Sequence, residues 1–228
     1  MNIGERLELV ASLVSACDCA ADIGTDHAYV PVRLVERGTC SRVIASDIVA
    51  GPCRAAAETV MLHGLMDKIE VRRAPGLQGI APGEAQAAVI AGMGGATIAE
   101  ILGEVPETAQ SIGTFVLQPM NAAALLRRWL AGHGYRIGAE ALCRDAGRLY
   151  VVLRAVYEGT PYLLTDLEAE VGPCLLKERP ELFRDQVEEL LQSARTLLER
   201  MGRSEAARQT KKYRYWQRME SELEALLQ

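Results

Sequence analysis

Between Asp22 and His27 the chain reads Asp-Ile-Gly-Thr-Asp-His, directly after an apolar run, CDCAADI. Two carboxylates, a glycine, a hydroxyl and an imidazole are thus gathered at the end of an apparent strand. Three kinds of chemistry would use such a set. A hard metal ion takes oxygen ligands, and Asp22, Asp26 and Asp47 with His27 would supply them. A dinucleotide needs glycines where phosphates approach the backbone. A cofactor with an amino-acid end needs an acceptor for its ammonium, and amide donors or a helix start for its carboxylate.

The spacing weighs these against one another. Asp47 lies 25 residues beyond Asp22, at the end of a second strand-like run, RVIAS. A carboxylate there suits the two hydroxyls of a ribose. Gly24 admits a ligand to the backbone. The loop has one glycine where the dinucleotide fingerprint has three, which favours S-adenosylmethionine over a nicotinamide dinucleotide. The metal reading lacks a second well-placed imidazole, since His63 and His133 fall at expected helix ends; no metal is expected. The bland reading of His27 is a helix-start residue bonded to its own backbone.

Further along, the glycine-rich AGMGG (91–95) follows another short buried run. It suits either a planar group sliding past the backbone, with Met93 lining the pocket, or close helix–strand packing. Ala74-Pro75-Gly76-Leu77 and Gln118-Pro119-Met120-Asn121 follow two more strands.

These residues need a scaffold that collects strand ends. Strand signals at 17–23, 42–46, 68–72, 86–91 and 114–117 alternate with helical periodicity at 3–15, 28–37, 52–63 and 97–102. Asn121 is expected to cap the helix AAALLRRWLAGHG. Two long strands turning at Asp145-Ala146-Gly147 close the series. This pattern predicts a doubly wound, Rossmann-like α/β sheet with one antiparallel strand, whose ligands bind beyond the carboxyl ends of its strands. After Tyr157 the strand signal ends, and helical periodicity takes over from about Thr165. A boundary near residue 160 is expected, separating an α/β domain (1–160) from a smaller α-helical one (161–228). Leu190, Leu191, Leu197, Leu198 and Met201 suit one packed helix, and Leu223, Leu226 and Leu227 another.

The 228 residues carry a formal net charge of -5, which argues against a globally basic nucleic-acid binder. The charge is uneven, however. Arg195, Arg200, Arg203, Arg208, Lys211, Lys212, Arg214 and Arg218 lie in one stretch opposed only by Glu199 and Glu205, and KKYRYWQR interleaves cations with aromatics. Such a segment tracks phosphates and stacks on bases; the alternative is a solvated helix face. The opening residues show no signal peptide, and no apolar run approaches the roughly 20 residues needed to span a bilayer. Six scattered cysteines without a C-x-x-C pair read as reduced thiols. A cytoplasmic protein with no membrane association is expected.

The set R-L-x-x-V-A (6–11), ADIGTDHAYVP, GP (51–52), GL (64–65 and 76–77), IAGMGG, LQP and RRWL resembles the bacterial tRNA (adenine-22-N1)-methyltransferase family. The resemblance spans the first domain and continues weakly through VGPCLLKE. It implies a seven-stranded class I S-adenosylmethionine-dependent methyltransferase domain, followed by a coiled-coil-like helical domain that binds tRNA. By position, Asp22, Gly24, Thr25, Asp47, Ile48, Gly76, Leu77, Ala91, Gly92 and Met93 would surround the cofactor. Asp26, His27 and Tyr29 would face the methyl group and target base, and Gln118 and Pro119, which match the first two residues of the family's Q-P-N segment, would join them as catalytic residues. Arg6, Arg195, Arg203, Arg208, Lys211, Lys212, Arg214 and Arg218 would meet RNA. The chain departs from the family's pattern in having Asp47 for the usual Glu, Ala74-Pro75 for Gly-Asp, and Met120 for Asn. The alternatives are a methyltransferase of a small molecule or protein, and a non-catalytic RNA-binding protein on the same scaffold.

Overall fold

The computed structural model describes residues 1–228, which form two compact units, Met1–Leu163 and Leu164–Gln228. The first unit is built on seven strands: β1 (Cys17–Ile23), β2 (Cys40–Asp47), β3 (Ile69–Arg73), β4 (Ala87–Met93), β5 (Thr114–Pro119), β6 (Tyr135–Asp145) and β7 (Arg148–Tyr157). They form one sheet in the order β3-β2-β1-β4-β5-β7-β6. The pairs among β1 to β5 are parallel, and β7 runs antiparallel to both of its neighbours. The hairpin joining β6 and β7 turns through Ala146 (φ 47°) and Gly147 (φ 78°). Two successive left-handed residues match the twist of the flanking strands.

Six helices cover the sheet: α1 (Gly4–Ser12), α2 (Tyr29–Glu36), α3 (Ala50–Leu62), α4 (Gly95–Glu104), α5 (Pro106–Ser111) and α6 (Ala123–Gly132), with a 3-10 turn at Gly76–Gly79. The central strands are buried on both faces, so they read as near-continuous apolar runs rather than alternating ones. β1 has five consecutive buried residues from Cys19 to Ile23. The core gathers Val10 of α1, Val14 just after it, Val32 and Leu34 of α2, and Ala20, Val43, Val89 and Val116 of the sheet.

The second unit holds α7 (Asp166–Val171), α8 (Pro173–Glu178), α9 (Phe183–Gly202), α10 (Glu205–Arg208) and α11 (Lys211–Leu227). On α9, Phe183, Val187, Leu191, Ala194 and Leu198 are buried at three- and four-residue spacing, and on α11 Met219 and Leu223 are. α9 and α11 run antiparallel, since Arg184 reaches the Leu227 carbonyl at one end while Arg195 pairs with Glu220. Leu191 and Leu198 are core residues, whereas Leu190 and Leu197 are only partly covered. Thr165 closes a capping box with Glu168 at the start of α7.

One local expectation is corrected. Asn121 does not cap α6: the cap position is Ala122, left-handed at φ 51°, with no side-chain hydrogen bond. The Asn121 carbonyl instead accepts from Gly95 N at 3.0 Å. That bond ties the β5–α6 turn to the start of α4 and takes Asn121 out of reach of the helix amides.

Candidate active site

The strand order reverses between β1 and β4, and a crevice opens there beyond the strand ends. A cleft of about 250 Å3 occupies this place, lined by Arg6, Leu7, Asp22, Gly24, Thr25, Asp26, His27, Tyr29, Val30, Ala91 and Gly92.

Its floor is Asp22, the penultimate residue of β1 and only 5% exposed. Thr25 Oγ1 donates to Asp22 Oδ2 at 2.7 Å. Burial pushes the Asp22 carboxyl up to about 6, partly offset by the Thr25 hydrogen bond and reinforced by the charge of Asp47. Ionising a carboxylate in such a place is costly unless a cation arrives beside it.

The loop above Asp22 is folded tightly. Gly24, Asp26 and Ala28 all take positive φ (74°, 50° and 56°). Left-handed backbone at two non-glycine residues in five is uncommon and collects at functional loops. Gly24 N and Thr25 N both donate to the Ser46 carbonyl of β2, at 2.8 and 2.9 Å. This bond pair holds the loop over the β1–β2 edge. It also commits two amides that the sequence had offered to an anion.

At the mouth, the Asp26 side chain is 71% exposed, with its Oδ1 3.7 Å from His27 Nε2. The His27 and Tyr29 rings stack at 5.2 Å with 13° between their planes. They form an aromatic ledge next to an exposed carboxylate. His27 therefore has a geometric part in the cleft rather than a bond to its own backbone.

AGMGG divides its labour. Gly92 (φ 78°) is exposed in the cleft. Gly95 allows α4 to approach the β5–α6 turn, because a Cβ there would lie 2.4 Å from the Ala122 carbonyl oxygen. The two sequence readings, ligand access and close packing, thus apply to different glycines. Met93 lies outside the cleft's lining and packs its methyl against Gly24, where an added Cβ would sit 2.1 Å away.

Asp47 stands at the end of β2, half-buried, and its Oδ1 accepts from Val49 N at 2.9 Å. Ile48 beside it is 59% exposed. Gly76 takes φ 49° and Leu77 is fully buried. Asp47, Ile48, Gly76 and Leu77 do not line the cleft at β1 and β4; they follow the ends of β2 and β3, on the other side of β1.

Gln118 and Pro119, expected among the catalytic residues, are both buried, Gln118 completely. Gln118 Oε1 accepts from Arg6 Nη1 at 2.7 Å and from Gly92 N at 3.1 Å, while its Nε2 donates to the Pro119 carbonyl. It acts on the cleft through those partners. Arg6, expected to meet RNA, is half-buried in the cleft itself, its guanidinium 5.7 Å from the centre of the Tyr150 ring. No group of three or more His, Cys, Asp or Glu side chains is arranged to hold a metal ion.

In the helical unit the basic stretch is less free than its composition suggests. Arg195 pairs with Glu220 and Glu224, Arg218 with Asp166 and Glu222, and Arg203 with Glu199. Arg208 Nε donates to the Gly202 carbonyl, and Arg214 Nη2 to that of Gln209. Lys211 and Lys212 are exposed and make no ion pair. The expectation that only Glu199 and Glu205 oppose the cations is thus corrected: Glu199 does pair with Arg203, but further carboxylates come from beyond the stretch on α11 and from α7.

A sheet of this order with carboxylates at the ends of β1 and β2 and a glycine turn after β4 defines a Rossmann-like class I methyltransferase fold. The model of the tRNA (adenine(22)-N(1))-methyltransferase family, TrmK, matches residues 20–222, and the chain belongs to that family. The tRNA (adenine(22)-N(1))-methyltransferase of Bacillus subtilis (strain 168) is 34% identical over 218 residues, covering 92% of this chain and 90% of that one. The solved B. subtilis m1A22 methyltransferase superposes with a TM-score of 0.88 at 31% identity, over 100% of this chain and 99% of the other. A Streptococcus pneumoniae relative solved in complex with S-adenosyl-L-methionine has a TM-score of 0.87 at 34% identity, with both chains fully covered. No helix is long and apolar enough to cross a membrane.

Proposed function

We propose that this chain transfers a methyl group from S-adenosylmethionine to N1 of the adenine at position 22 of tRNA. The observation that carries the reading is the cleft at the β1–β4 crevice, in a chain of this family. A buried carboxylate, Asp22, lies at its floor, and an exposed carboxylate with an aromatic ledge, Asp26, His27 and Tyr29, lies at its mouth.

The residues present fit the cofactor. Asp22 is a carboxylate without a cation, buried where an ammonium would relieve it. Asp47 commits one carboxylate oxygen to Val49 N and leaves the other for a ribose hydroxyl. Gly92 presents backbone without a Cβ and Ala91 continues that wall, while the space a Cβ would take at Gly24 is filled by the Met93 methyl. Thr25 orients Asp22. Ile48, Gly76, Leu77 and Met93 take the positions that the family resemblance gives to cofactor contacts. When bound, the cofactor supplies an activated methyl on a sulfonium.

The chain's own task is positioning and charge. Adenine N1 is occupied in a base pair, so the base must be splayed out to react. The stacked His27 and Tyr29 rings offer a flat surface for it at the cleft mouth. The adenine becomes cationic as its N1 gains a methyl, and the exposed Asp26 carboxylate stabilises that charge. Gln118 and Pro119 act from behind the cleft wall, as their burial requires.

The helical unit, within the expected domain 161–228, is read as the tRNA-binding one. Lys211, Lys212 and Arg214 stand in the first turn of α11, where no acidic residue offsets them. Cations there oppose the helix dipole, a cost that an arriving phosphate removes. Arg208 stands close by in sequence on α10, whereas Arg195, Arg203 and Arg218 are held by carboxylates.

The test is incubation with S-adenosylmethionine and unmodified tRNA transcripts, digestion to nucleosides and mass spectrometry. N1-methyladenosine, absent when the adenine at position 22 is replaced, is the expected product. Cofactor binding without any methylated nucleoside would move the activity to another substrate, and no cofactor binding would point to a non-catalytic scaffold.

A further inference from the structure

Three of the six cysteines, Cys17, Cys19 and Cys40, stand at the start of β1 and β2, the opposite end of those strands from the Asp22–His27 loop. Cys17 is paired in register with Cys40 across the parallel β1–β2 ladder, and Cys17 N donates to the Thr39 carbonyl at 3.0 Å. Residues so paired put their side chains on one face of the sheet. Their Cα atoms are separated by the spacing of neighbouring strands, about 4.8 Å, which lies within the window that a disulfide spans. The two sulfurs are already in contact, with Cys17 Sγ 3.4 Å from Cys40 Sγ. Cys19 is opposite Arg42 instead.

The two thiols are not equivalent. Cys17 is partly exposed, whereas Cys40 is only 2% exposed. Burial, reinforced by the Cys17 thiol beside it, pushes the Cys40 thiol up to about 12 and so holds it neutral. An oxidant arriving from solvent therefore meets Cys17 first. An accessible thiol with a resolving thiol beside it is the arrangement that halts oxidation at the reversible disulfide. No cysteine lines the cleft, so this chemistry is separate from methyl transfer.

We infer that Cys17 and Cys40 form a redox-active dithiol, a site that a hydroperoxide converts to an intramolecular disulfide. The Cys17 sulfur attacks the peroxide's terminal oxygen and the O–O bond breaks. Cys17 becomes a sulfenic acid, and the peroxide leaves as an alcohol, or as water from hydrogen peroxide. The Cys40 sulfur then bonds to the Cys17 sulfur, the S–O bond breaks, and the hydroxyl departs as water with the Cys40 proton. Together the thiols lose two electrons and two hydrogens, which the peroxide gains. A dithiol reductant reverses the bond by exchange. The closed ring takes in β1, the Asp22–His27 loop, α2 and the start of β2.

The test treats the full chain, reduced and then freed of reductant, with hydrogen peroxide, followed by alkylation, digestion and mass spectrometry. The expected product is a Cys17–Cys40 linked peptide, two hydrogens lighter than its parts and lost on adding dithiothreitol. It should be the dominant pairing in the folded chain and give way to a mixture of pairings in denaturant. Cys19→Ser should form the link as the wild type does. In Cys40→Ser, Cys17 should be trapped by dimedone as sulfenic acid and proceed to sulfinic acid. Sulfinic acid at Cys17 of the wild type without the link would overturn the inference. So would a link through Cys19 in its place, or a Cys17 that stays reduced while Cys53, Cys143 or Cys174 is oxidised. The wild-type digest decides between these outcomes without any variant, so misfolding of Cys40→Ser would not obstruct it.

Discussion

Asp22→Asn is expected to stabilise the ligand-free protein at neutral pH while weakening its hold on the cofactor. Burial raises the Asp22 carboxyl to about 6 in the folded chain; in the unfolded chain it titrates near about 4. Below about pH 4 both states carry the proton, and the residue makes no pH-dependent contribution. As pH rises the unfolded chain releases its proton first, which favours unfolding. The penalty on the folded state grows until the folded carboxyl also ionises, and it is complete above about pH 6. Its full size is about 3 kcal/mol. Asparagine keeps an oxygen for the Thr25 hydroxyl and has no charge to bury. For a chain of this size the midpoint of thermal unfolding should therefore rise by up to roughly 6–12 °C at pH 8. The gain over wild type should shrink toward the low-pH limit. The assay is a thermal melt of both proteins from about pH 4 to pH 8, paired with S-adenosylhomocysteine titrations. A difference in melting temperature that does not change with pH would refute the argument, because only an ionising carboxylate gives it that dependence. Unimpaired cofactor binding in the variant would separate the buried charge from the ligand.

Asp26→Ala should lower single-turnover methyl transfer by about 100-fold, in keeping with the loss of one stabilising group, with little change in cofactor affinity; equal turnover would remove Asp26 from the chemistry. Gly95→Ala should destabilise the protein by about 1–3 kcal/mol, because its Cβ would meet the Ala122 carbonyl at 2.4 Å, as checked by denaturant unfolding. Lys211→Ala with Lys212→Ala should reduce the salt dependence of tRNA binding by about one phosphate contact per lysine. Arg195→Ala and Arg218→Ala should change it much less, since both arginines already hold carboxylates; equal slopes for the two pairs of variants would argue against that division.

What was legible in the sequence follows the range of the interactions involved. Strand ends announce themselves locally. The buried parts of β1 and β2, Cys19–Ile23 and Val43–Ser46, are mostly apolar because both faces are covered, and polar residues gather at and just beyond their ends. Asp145-Ala146-Gly147 marks its turn because the hairpin needs positive φ at adjacent positions. From such signals the α/β sheet, its antiparallel strand and the Asp22–His27 loop could all be placed before any coordinates. The pairings that make those pieces a site are long-range. Arg6 and Gln118 are 112 residues apart, and no periodicity joins an arginine on the first helix to a glutamine on the fifth strand. The same limit governs the basic stretch, where Glu220, Glu222, Glu224 and Asp166 arrive from outside it. Asn121 shows a subtler failure. Its residue type favours a cap, yet the approach of α4 at Gly95 takes the Asn121 carbonyl and shifts the cap to Ala122. Propensity was overruled there by packing that only glycine permits.

Gln118 brings these threads together. A glutamine at the end of a strand reads as a specificity residue when its motif is matched position by position. Its geometry makes it a strut, with each polar atom taken by the chain itself. The groups it props, Arg6 and Gly92, line the cleft together with the loop after β1. Asp22 and Arg6 line one cleft, and neither has a side chain of opposite charge as its partner; on the proposed function, a cation of the cofactor would satisfy Asp22. The stability lost by burying Asp22 and the affinity gained from it then have one origin, and that is why a single substitution is expected to move the two in opposite directions.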